Sequence, residues 1–162
     1  FAGPWSPSNG RFIEDIPDGH SVAFINNGAS ISQDLNHYVH AGNTLTLDVD
    51  VCLRSDVPNS GAFSFEIWAG GTQLASTGSG LGSISPGEFQ TWNLSYVIED
   101  GDPFIGQQLS IAFRNLGGSQ INFDDVHFDN DLTPVPEPAT VLLLGVCLAG
   151  LAGFRRRKRI NK

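Results

Sequence analysis

Between Leu45 and Arg54 the chain alternates without a fault. Leu45, Leu47, Val49, Val51 and Leu53 fall on one side, and Thr46, Asp48, Asp50, Cys52 and Arg54 on the other. A period of two predicts an antiparallel strand buried on one face. Phe63, Phe65 and Ile67 repeat the pattern and leave Ser64, Glu66 and Trp68 outward; Gly70-Gly71 then turns the chain into Thr72–Thr77. After a loop over Gly78–Gly87, Trp92, Leu94, Tyr96 and Ile98 share a face, and Leu109, Ile111 and Phe113 make a further strand. Upstream, Ser21–Asn26 is a short apolar strand, and Asn27-Gly28 predicts a hairpin that returns it along Ser30–Leu35. In Gln120–Phe128 the phase changes. One β-bulge at Asp124-Asp125 would restore Val126 and Phe128 to the side of Ile121 and Phe123. Strands at this spacing, with Gly-rich turns and no amphipathic helix between them, predict an all-β antiparallel sandwich over residues 19–131.

The two ends differ from this body. Residues 1–18 are rich in Pro, Gly and Ser and read as an irregular arm, with Trp5, Phe12 and Ile13 to tuck it onto the sandwich. Residues 132–138 form a linker containing Pro136-Glu137-Pro138, stiff and extended because each proline fixes its own φ and biases the residue before it away from helix. Residues 139–154 are an uncharged run, closed by Arg155, Arg156, Arg157, Lys158 and Arg159 in a basic tail over 155–162. As a helix the run is about 24 Å long at ~1.5 Å per residue. That is short for a bilayer core of about 30 Å, a deficit that snorkelling arginines partly cover. The pattern predicts a single C-terminal transmembrane helix, with the basic block cytoplasmic and the sandwich outside.

Charge separates in the same way. Residues 1–134 hold three arginines, no lysine and sixteen acidic residues, a formal −13. A body this acidic excludes nucleic acid as a partner and suits a soluble life outside the cell. No secretory signal peptide stands in the sequence, so a processed form or a fragment is expected. Cys52 and Cys147 are the only cysteines, and Cys147 falls in the apolar run, which argues against a disulfide between them.

The order Pro-Glu-Pro, apolar helix, arginine cluster resembles the PEP-CTERM sorting signal of exported bacterial proteins. The resemblance implies an exosortase as processing partner, with Pro136, Glu137 and Pro138 read by that enzyme. The helix would then be a temporary membrane anchor, and Arg155, Arg156 and Arg157 its cytoplasmic stop. It further implies delivery to the cell surface or an extracellular matrix. The segment IPDGHSVAFINNGASISQDL, the strand TLTLDVDV, FSFEIWAGGTQLAST and the ending INFDDVHFD resemble the jelly-roll, galactose-binding-like sandwiches of carbohydrate-binding modules. That resemblance implies a jelly-roll-like fold, a glycan or exopolysaccharide partner, and a structural calcium held by an acid on the last strand, Asp124 or Asp125.

Signatures of catalysis are absent: no GxSxG, HExxH, P-loop or dinucleotide fingerprint occurs, and no enzyme is expected. His37 and His40 flank Tyr38 in a predicted loop, as a metal pair or as two solvated histidines. Cys52 reads as a passive thiol. Asp48 and Asp50 share a face, as paired carboxylates of a glycosidase do, and as acids on any solvated strand also do. Sugar binding needs an exposed aromatic plate among polar groups. Trp68 beside Glu66 is the first candidate, with Tyr38 and Trp5 behind it. The functional readings are a non-enzymatic surface or matrix protein, a carbohydrate-binding module with a defined site, and a hydrolase built on scattered Asp or His.

Overall fold

The computed structural model describes residues 2–7, 10–57 and 60–132. The expected transmembrane helix, Pro136-Glu137-Pro138 and the arginine cluster lie outside the described residues. The chain divides into two units after Leu132, and the sandwich is the first of them. Among the described residues no helix is long and apolar enough to cross a membrane.

Among the described residues nine strands form: β1 (Ala2–Trp5), β2 (Val22–Ile25), β3 (Ser30–Tyr38), β4 (Asn43–Cys52), β5 (Gly61–Ala69), β6 (Thr72–Thr77), β7 (Gln90–Val97), β8 (Gln108–Gly118) and β9 (Ile121–Leu132). They make two antiparallel sheets, ordered β1-β2-β9-β4-β7 and β3-β8-β5-β6. β4 sits between β9 and β7, and its alternation is why it can. Leu45, Leu47, Val49 and Val51 are fully buried against the other sheet, while Thr44, Thr46, Asp48 and Asp50 stay half-buried on the outer face. Phe63 and Phe65 on β5 reach across to Trp92 on β7, which meets both rings edge-on at 5.2 and 6.2 Å between centroids. Such pairs add to the burial term, which drives the two sheets together.

Four expectations are corrected. Asn27-Gly28 does not make a hairpin. β2 pairs with β1 and β9, whereas β3 pairs with β8, so the turn carries the chain from one sheet to the other. Ile25 is buried and Ile31 packs against the same core, and only opposite sheets let both do so. The arm is not wholly irregular: Ala2–Trp5 pairs with β2, and Trp5 and Phe12 tuck it down, but Ile13 remains 71 % exposed. His37 belongs to the end of β3, with only His40 beyond it. Cys52, expected on a polar face, is fully buried, and burial pushes its thiol up to about 12, so it is inert at neutral pH.

A bulge is present, but one residue later than expected, at Asp125-Val126. Asp48 faces His127 and Asp50 faces Asp124, so Val49 is opposed by both Asp125 and Val126. Asp125 takes the left-handed φ of 43°, a conformation Asp tolerates better than most residues. Phe128 returns to the core as expected, but Val126 stays 43 % exposed.

Candidate functional site

β5 places Ser64, Glu66 and Trp68 on its outer side, and β8 brings Arg114 opposite Ser64. The four side chains close on one another. Glu66 Oε1 accepts the Ser64 hydroxyl at 2.9 Å; Oε2 accepts the Trp68 indole N–H at 2.8 Å and Arg114 Nε at 2.9 Å. The Arg114 guanidinium lies over the Trp68 ring, 5.6 Å from its centroid. Glu66 is therefore not outward in the sense expected: it is 5 % exposed. The first sequence candidates, Trp68 and Glu66, are brought together, but the indole N–H and one ring face are already engaged within the protein.

Asp124 lies opposite Asp50, and its Oδ2 accepts the Asp18 backbone N–H at 2.9 Å. Burial pushes its carboxyl above the ordinary Asp range, and the Asp18 N–H opposes this more weakly. The raised value means that folding favours the neutral acid. The stability it contributes is full below the ordinary Asp range and is lost as pH rises through the folded value. Asp124→Asn keeps an acceptor for Asp18 and cannot ionise. It should raise stability at pH 7 by up to about 1 kcal/mol, with no gain well below the Asp range. Thermal melts at the two pH values check this; an equal gain at both would rule out titration as its source. Calcium takes about six to eight oxygens. Among the described residues no group of three or more His, Cys, Asp or Glu side chains gathers for a metal, and one oxygen of Asp124 is already bonded to the Asp18 N–H. Asp48 and Asp50 lie on the open outer face, bonded to Asn93 and Thr91 of β7.

Tyr38, the remaining candidate, stands elsewhere. The end of β3, the start of β4 and the last part of β9 enclose a cleft of about 520 Å3 lined by Asn36, His37, Tyr38, His40, Asn43 and Asn130. β3 belongs to one sheet and β4 and β9 to the other, so the cleft opens at the rim between them. Its floor is firm. Val39 is fully buried, its N–H donates to Gln107 O at 2.9 Å, and its carbonyl accepts Gly106 N–H at 2.8 Å. Tyr38 is 49 % exposed, and His37 packs toward Phe128 with ring centroids 6.4 Å apart. Asn43 is 4 % exposed and donates its amide N–H to Asn130 Oδ1. Asn36, Asn43 and Asn130 were missed by sequence reasoning. For Asn43 and Asn130 the signal is an amide at an inward register position, visible only once strand pairing is known; Asn36 is exposed and carries no such signal.

The model of the HpiC1-like family, described as HpiC1 cyclase, matches residues 1–129. The chain belongs to the HpiC1-like family. The PEP-CTERM protein-sorting motif matches residues 134–158, outside the described residues, and implies an exported, membrane-anchored precursor and processing by an exosortase. No curated protein matches the chain. Among solved structures, a Stig cyclase, Fisc, from Fischerella sp. TAU in complex with (3Z)-3-(1-methyl-2-pyrrolidinylidene)-3H-indole is 22 % identical, with TM-score 0.72 over 82 % of this chain and 74 % of that one. A CBM4 structure is 17 % identical, TM-score 0.51, over 80 % and 86 %. The module TmCBM61 in complex with β-1,4-galactotriose is 10 % identical, TM-score 0.51, over 80 % and 82 %. This HpiC1-like sandwich thus has the jelly-roll fold of both cyclases and carbohydrate-binding modules.

Proposed function

We propose that the protein is a non-enzymatic glycan-binding protein of the cell surface or exopolysaccharide matrix, exported by way of its sorting motif. The observation that carries the reading is the cleft at the rim of the sandwich. It combines a half-exposed aromatic ring with amides and imidazoles, the parts a sugar ring needs. Trp68 is a poorer platform, because Glu66 and Arg114 already occupy it. The test is co-sedimentation of the full chain with exopolysaccharide extracted from producing cells. Tyr38→Ala should lower the bound fraction about tenfold, the scale of one lost aromatic contact, whereas Trp68→Ala should leave it unchanged. Equal sedimentation of Tyr38→Ala and the parent would overturn the reading.

A second reading is favoured by family membership: cyclisation of an indole-bearing substrate, the ligand class in the Fischerella structure. Its candidate proton donor is Asp124, whose carboxyl burial biases toward the neutral form. Turnover of an indole substrate that is lost in Asp124→Asn would favour it over glycan binding.

A further inference from the structure

Asn43 is the unusual member of the cleft. It stands on the inward side of β4, in step with Leu45 and Leu47, where an apolar residue would satisfy the core. One end of its amide is taken by Asn130. The other, Oδ1, is fully buried and finds no hydrogen-bond donor among the described residues. A buried polar atom left this way costs about 1–3 kcal/mol, a cost that a core position normally avoids. The two ends of an amide exchange by rotation about its last torsion, so the pair Asn43–Asn130 can present either a donor or an acceptor to a third group. Beside it stand Asn36, His37 and His40, which also both donate and accept when the imidazoles are neutral, and the ring and hydroxyl of Tyr38.

Not one of the six lining side chains is an acid, a lysine or an arginine. The three arginines of the body are engaged elsewhere, while Asp129 and Asp131 flank Asn130 but stand opposite Thr46 and Thr44 on the outer face of the sheet. Arg11 and Arg54 pair with Asp56, and Arg114 with Glu66. A carboxylate or sulfate entering the cleft would meet no lysine or arginine, on a body of strongly negative net charge. A hydroxyl, which gives and takes a hydrogen bond, matches the amides and imidazoles on both counts.

Resting on the glycan reading, we propose that this cleft binds an uncharged pyranose and rejects uronic acids and sulfated sugars. Tyr38 supplies the plate for the apolar ring face. The Asn43–Asn130 pair supplies the orienting hydrogen bonds to hydroxyls.

The experiment is calorimetric titration of the full chain with neutral oligomers of galactose, glucose and xylose, and with galacturonic and glucuronic acid oligomers of the same length. At least one neutral series should bind, with affinity reduced about tenfold or more by Tyr38→Ala and by Asn130→Ala. The acid series should bind at least about tenfold more weakly than the neutral one. Asn43→Ala tests the buried amide directly; since it also leaves a void, Asn130→Ala at the accessible end and a melting curve for each variant keep a folding defect apart from a binding defect. Acid oligomers that bind as well as neutral ones, with the same dependence on Tyr38, would overturn the selectivity while leaving glycan binding intact. Neutral binding indifferent to Tyr38 and Asn130 would overturn the cleft as its site. No binding of either series would remove the glycan reading itself.

Discussion

Glu66→Ala should destabilise the sandwich by about 2–3 kcal/mol, lowering its melting temperature by roughly 10 °C. The carboxylate is the common acceptor for Ser64, Trp68 and Arg114, and it is 5 % exposed. Truncation leaves the half-buried Trp68 indole N–H and Ser64 hydroxyl without their acceptor, each costing up to about 1 kcal/mol. It also frees Arg114, whose side chain is 42 % exposed and so recovers water. That recovery keeps the loss below the ~3–5 kcal/mol seen when a wholly buried pair is broken. Glu66→Gln retains an acceptor and should cost about half as much. Urea unfolding of the three proteins decides it: if Glu66→Ala melts with the parent, the cluster is not structural, and Trp68 returns as a free platform for sugar.

The second large effect concerns a place where two backbones touch. Gly61 opens β5 opposite Gly118 of β8, at φ 89°, and a Cβ there would stand 1.5 Å from Gly117 O. Gly118 returns the contact, since its own Cβ would stand 1.9 Å from Ser60 O. The obstacle is main chain on both sides, so no rotamer relieves it. Gly61→Ala should cost about 3 kcal/mol or more, the sum of a left-handed alanine and an overpacked contact. Gly71→Ala is the control: its φ is 84° but its Cβ meets nothing within 4 Å, so only the conformational cost of about 1 kcal/mol remains. Similar losses at the two sites would show that backbone torsion alone, without the crossing, sets the cost.

The strands were legible because burial on one face leaves a period of two. Leu45–Arg54 in the sequence became Asn43–Cys52 in the structure, and Phe63, Phe65 and Ile67 point inward as expected. Partnership was less legible. Asn27-Gly28 has the composition of a hairpin, and nothing local says that the two strands it joins enter different sheets. Periodicity gives the side of a residue and not what covers it, which is why Glu66 read as solvated and is buried. The cleft was half visible: Tyr38 is an aromatic residue among polar ones, but Asn43 and Asn130 are 87 positions apart. They meet because the extra residue at Asp125-Val126 shifts β9 by one before Asn130 is reached. Without that shift Asn130 would face outward, and the cleft would lose its far wall.

The cleft also borders the point where the chain leaves the sandwich. Leu132 is the last residue of β9 and pairs with Asn43; Asp131 pairs with Thr44 and Asn130 with Leu45. Load entering the sandwich at Leu132 therefore meets those rungs before any other pairing of β9. β2, the other neighbour of β9, is paired only at Ala23–Ile25 with Ile121–Phe123, far along the strand, and does not share this initial load. The wall made by Asn43 and Asn130 is thus the part of the cleft that lies nearest to the exit of the chain, and the rest of β4 and β9 stands behind it.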